Sequence, residues 1–70
     1  MAVENKLKLF RVQSGDITQG ALAEKVACSR QTIHSIETGK FNPSIELALK
    51  IAKALGTNVS ELFSLKEESK

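Results

Sequence analysis

Five apolar-periodic stretches run along this chain, cut apart by glycine, proline and short polar residues, and each is too short to persist alone as a helix in water. They must pack on one another. The first spans about residues 5–13, with Val3, Leu7 and Phe10 at helical spacing and Gly15 just past its end, suited to a left-handed C-terminus. The second starts on Thr18 as N-cap and puts Leu22, Ala23 and Val26 on one face; Gly20 inside it costs about 1 kcal/mol relative to alanine. The third opens on Ser29, buries Ile33 and Ile36, and closes at Gly39. Ser44 or Asn42 caps the fourth, which carries Ile45, Ala48, Ile51, Ala52 and Leu55 and ends at Gly56. The fifth runs from Asn58 to about Phe63, with Asn58 and Glu61 in a capping-box-like start. Residues 64–70 turn charged and are expected to fray.

No alternating apolar and polar run reads as a strand, and aromatics, at 4%, are too few for a β-sandwich or a base-stacking sheet. The expectation is all-α, a compact five-helix bundle forming one domain over residues 1–70, with an ordered core of about 5–63. Seventy residues bury only about 60% of the unfolded surface, so a substrate-sized interior cavity is not expected. No apolar run approaches the roughly 18 residues of a membrane span, and the first eight residues contain no signal-peptide core. A cytoplasmic protein is expected. One cysteine and one histidine provide neither an intrachain disulfide nor a metal-ligand cluster, and no cofactor is expected. The net charge of +2 is mild, but all of the excess lies in residues 1–40.

The most informative segment is residues 18–39. Only Ala27 and Cys28 separate its two apolar stretches, so the two helices must cross steeply as a helix-turn-helix. Ala23 is the small residue at the crossing and Ile33 plugs the corner. The side chains left over on the second helix are Arg30, Gln31, His34, Ser35 and Thr38, a polar stripe without a carboxylate. An α-helix fits the major groove, where arginine matches guanine O6 and N7 and glutamine matches adenine N6 and N7. Free amides at Ser29 to Gln31 and at Thr18 to Gly20 favour a nearby phosphate, and Gln19 is placed to clamp it.

The run TQGALAEKVACSRQTIHSIETGKFNPSIELALKIAKALG resembles the Cro/C1-type (XRE-like) helix-turn-helix family of bacterial, archaeal and phage regulators, over roughly residues 5–63. It looks most like short stand-alone members in which SRQTI, IETGK and NPS lead directly into the LALKIAKALG helix. The resemblance implies a lambda-repressor-like bundle whose third helix enters the major groove, as one half of a homodimer on a pseudo-palindromic operator. It implies phosphate contacts by Gln19 and Lys40, base-edge contacts by Arg30, Gln31 and Ser35, and backbone contact by Thr32. Thr38 and Asn42 would flank the groove, with His34 facing the surface or a phosphate. The family also pairs an arginine late in the first helix with the glutamate of IETG, here Arg11 with Glu37. Ala27 stands where the family usually has a glycine at positive φ, at a cost of about 1 kcal/mol. The GDIT segment is one residue longer than the commonest spacing, an insertion of the kind that shifts register.

Cys28 reads as a small buried hydrophobe rather than a redox switch, and the Glu46/Lys50 pair as solvated. Phe41 and Phe63 read first as core filling, with Leu65 the best candidate for a dimer seam built on Phe63 and the tail. Together these features predict a sequence-specific double-stranded DNA-binding transcriptional regulator, a homodimeric repressor without enzymatic activity, nucleoid-associated when bound. The alternative is an antitoxin-like or coactivator-like module with a protein partner at the apolar tail; no membrane or small-molecule substrate is implied.

Overall fold

The computed structural model describes residues 2–66. In chain order the elements are β1 (Ala2–Asn5), α1 (Leu7–Gln13), α2 (Gln19–Lys25), α3 (Arg30–Glu37), α4 (Ile45–Ala54), α5 (Val59–Leu62) and β2 (Phe63–Lys66). The five helices follow the expected order. Local chemistry starts four of them: Thr18, Ser29, Ser44 and Asn58 each lie in extended backbone, and their side-chain oxygens accept from the amides of Ala21, Thr32, Leu47 and Glu61. Ser44, not Asn42, caps α4.

The all-α expectation needs correction, because β1 and β2 pair as an antiparallel ribbon with Val3 opposite Leu65 and Asn5 opposite Phe63. Residues 64–66, expected to fray, belong to this ribbon; the rest of the expected tail, residues 67–70, lies outside the described residues. Each strand has four residues, too few for alternation to show, and the partners stand about sixty positions apart. Val3 also sits at helical spacing from Leu7 and Phe10, which makes β1 look like the start of a helix. Helix α1 in fact begins at Leu7. Asn5 turns that corner: its Oδ1 accepts from the Leu7 amide at 3.1 Å and its Nδ2 donates to the Ile36 carbonyl at 2.8 Å. The Lys6 amide then donates to the Leu62 carbonyl at 2.8 Å, extending the ties between the two ends of the chain.

Every helix contributes to one core. Leu7, Leu22, Ala23, Ile33, Ile36, Ile51, Ala52 and Leu62 pack together, joined by Val26 and Leu55 at the ends of α2 and α4. Fully burying an aliphatic side chain of Leu or Ile size contributes about 1.5–3 kcal/mol, so these contacts hold helices that propensity alone does not. Two expectations about the apolar residues fail. Ile45, on the apolar period of α4, is 78% exposed while Leu47 in the same turn packs on the core, and Phe41 is 47% exposed rather than filling the interior. Phe63 is half-buried against the core.

The turns show where the chain departs from local preference. After α2 the Ala27 amide donates to the Glu24 carbonyl and the Cys28 amide to the Ala23 carbonyl, a Schellman closure that puts Ala27 at φ +60°. After α3 the same closure uses Gly39, at φ +81°. The longer segment after α1 is absorbed by two consecutive residues at positive φ, Gly15 and Asp16.

Candidate nucleic-acid interface

The connection Val26 to Ser29 brings α2 and α3 together across Leu22, Ala23 and Ile33, all buried. This packing turns the opposite side of α3 outward. Arg30, Gln31, His34 and Thr38 are exposed, with Thr32 and Ser35 half-buried between them. Ser29 both caps α3 through the Thr32 amide and shares a 2.9 Å hydrogen bond with the Thr32 hydroxyl. Thr38 donates its hydroxyl to the Ser35 carbonyl at 3.2 Å. Arg30 and Gln31 have no side-chain hydrogen bond among the described residues, so both are free to engage a ligand.

The far end of α3 is held by Glu37. Arg11 donates Nε to Glu37 Oε2 at 2.7 Å and Nη2 to Oε1 at 3.2 Å, and its Nη1 reaches the Ile17 carbonyl at 2.8 Å. The inserted residue therefore does not displace the pair: Gly15 and Asp16 take up the extra length in the turn, leaving Arg11 in register. Gln19 joins the same carboxylate, its Nε2 donating to Glu37 Oε1 at 3.0 Å and lying 3.4 Å from His34 Nδ1. Three helices thus meet on one side chain. The consequence is electrostatic as well as mechanical, since the one carboxylate of α3 is shielded and neutralised instead of facing outward.

The structure brings most of the anticipated residues to one surface and separates others. Arg30, Gln31 and His34 line one open depression of about 290 Å³. Gln31, Thr32 and Ser35 line a second of about 180 Å³ together with Phe41, which sequence reasoning assigned to the core. Lys40 is exposed just after α3, while its amide closes the helix on the Ser35 carbonyl. Asn42 instead borders an apolar groove of about 180 Å³ formed with Val3, Pro43, Ile45, Ala48, Val59 and Phe63. Leu65, on β2, is 61% exposed. Gln19 is half-buried, its amide nitrogen already engaged by Glu37 and His34. Nothing in the local sequence announces that engagement, because the partners lie 15 and 18 residues away.

Cys28 is half-buried at the turn; its thiol donates to the Ser29 carbonyl at 3.5 Å, and burial pushes its pKa up. This is the reverse of what a reactive thiolate needs. Among the described residues no helix is long and apolar enough to cross a membrane.

Comparison with known proteins agrees with this geometry. The helix-turn-helix family model matches residues 7–62. An uncharacterized HTH-type transcriptional regulator of Methanocaldococcus jannaschii is 44% identical, over 94% of this chain and 98% of its own. The immunity repressor of Bacillus phage phi105 is 36% identical, over 97% of this chain and 49% of the repressor. The crystal structure of a Bacteroides fragilis protein assigned to DNA binding superposes with a TM-score of 0.80 at 26% identity, covering 89% of this chain and 98% of that one. With a family match over most of its length and an outward-facing second helix in the motif, this chain belongs to the Cro/C1-type helix-turn-helix family of DNA-binding transcriptional regulators.

Proposed function

We propose that this protein is a sequence-specific repressor that binds double-stranded DNA as a homodimer on a pseudo-palindromic operator, with no enzymatic activity. The observation that carries the reading is the exposed face of α3, which offers arginine, glutamine, histidine and hydroxyl groups while its one carboxylate is tied to Arg11. Such a face suits the acceptor-rich edge of guanine and the mixed edge of adenine. In this reading Arg30, Gln31 and Ser35 contact base edges, and Lys40, Ser29, Thr32 and the free amides opening α3 hold phosphates. Gln19 positions α2 against α3 and supports a phosphate contact. His34, Thr38 and Asn42 border the groove. Likeness to a phage immunity repressor supports repression by occupancy. Exposed Leu65 and the neighbouring Phe63 supply an apolar seam for a second copy.

Selection of bound duplexes from a random pool at stated salt tests this directly. A defined, symmetric preferred sequence is expected. On it, Arg30→Ala should cost about 1–3 kcal/mol and relax one base position, whereas Lys40→Ala should weaken all sequences alike. Equal loss on every sequence for Arg30→Ala would remove its base-reading role. The apolar groove beside Asn42 favours a second reading, a module whose main partner is a protein; a pool that yields no enriched sequence would leave that reading standing.

A further inference from the structure

The loop after α3 holds a large apolar side chain where a DNA-facing surface would be expected to be polar. Phe41 is 47% exposed, and it borders Gln31, Thr32 and Ser35 in a shallow depression of about 180 Å³. These three residues belong to the outward face of α3, and none of the four lining residues is charged. The depression therefore offers an anion no cation, and its exposed ring is left for an apolar group. It combines a flat ring with an amide and two hydroxyl-bearing side chains, which suits a ligand with a small apolar projection beside hydrogen-bonding groups.

In the major groove that description fits one base pair. Thymine carries a 5-methyl group, and the adenine paired with it offers N6 and N7 to a glutamine. We propose that Phe41 is a specificity-determining residue that packs its ring against a thymine 5-methyl group, next to Gln31, so that this part of the site selects A·T pairs. The inference rests on the duplex-DNA reading above and extends it to a residue outside the polar stripe. Covering the exposed ring with the methyl group removes apolar surface on both partners from water, which is the physical source of the preference.

The test uses single-atom-group changes in the DNA. From the duplex selected with the wild-type protein, each thymine is replaced in turn by deoxyuridine, which lacks only the methyl group. Binding at fixed salt is then measured for the wild type, Phe41→Ala and Phe41→Leu, with thermal unfolding as the check that each variant is folded. At one thymine per half-site, uracil should weaken the wild type about fourfold, the factor that corresponds to about 0.8 kcal/mol for one buried methyl-sized group. Phe41→Ala should bind the thymine duplex more weakly and be indifferent to uracil at that position, and Phe41→Leu should keep part of the difference. Identical uracil profiles for the wild type and Phe41→Ala would overturn the inference while leaving DNA recognition intact. So would a wild-type profile with no methyl-sensitive thymine, which needs no variant to be folded. A pool with no preferred sequence would overturn the duplex reading and this inference together.

Discussion

The Arg11 guanidinium grips the Glu37 carboxylate at two points, 2.7 and 3.2 Å, with the two side chains only 12% and 6% exposed. The pair ties α1 to the last turn of α3 and leaves no unpaired carboxylate on that helix. Breaking such a pair from one side strands a buried charge. Arg11→Met should therefore destabilise the fold by about 3–5 kcal/mol in urea unfolding, whereas Arg11→Met combined with Glu37→Leu should lose less than the single change. A single-variant loss under about 1 kcal/mol would show the pair to be solvated rather than structural.

Backbone strain supplies a second, independent expectation. Ala27 sits at φ +60° in a turn whose counterpart after α3 uses Gly39 at φ +81° with open space around it. Ala27→Gly should stabilise the protein by about 1 kcal/mol and Gly39→Ala should destabilise it by about the same amount. Thermal unfolding of the two variants, read against the wild type, checks both signs at once.

The proposed dimer places Leu65 at its seam, on a ribbon strand and 61% exposed. Leu65→Glu should shift sedimentation equilibrium at micromolar concentration toward monomer and weaken binding to a two-half-site duplex, with the helical circular dichroism unchanged. A wild-type protein that stays monomeric with and without DNA would remove the dimer.

Cys28 gives a chemical check. Burial raises its pKa, so the folded thiol keeps its proton to a higher pH than the unfolded one. Iodoacetamide should label it more slowly in the native protein than in urea at the same pH. The sign for stability follows: the contribution is complete below the unfolded pKa and is lost as pH rises through the folded value. Urea midpoints across mildly alkaline pH should fall in the wild type more than in Cys28→Ser.

Phe41 shows why the surface was only partly legible. Its apolar character pointed inward, and the polar stripe of Arg30, Gln31, His34, Ser35 and Thr38 was readable from a period of 3.6 alone. A loop residue has no such period, so only the fold places its ring beside Gln31 and Ser35. Ile45 misled in the same direction, since periodicity counts it with Ala48 and Ile51 but cannot tell that the buried stripe begins one turn later.

The starts of α2 to α5, the closing turns of α2 to α4 and the tight corner between α2 and α3 were determined by the sequence itself, because Thr18, Ser29, Ser44 and Asn58 act on amides three residues away and the closing turns act over five. Interactions that short are written in the order of the residues. The tertiary structure alone decided that Val3 meets Leu65, that Asn5 reaches the Ile36 carbonyl, and that Gln19 joins Arg11 on Glu37. Those contacts join residues 18 to 62 positions apart, and which of them form depends on how all five helices pack into one core, a choice that no local pattern of residues encodes.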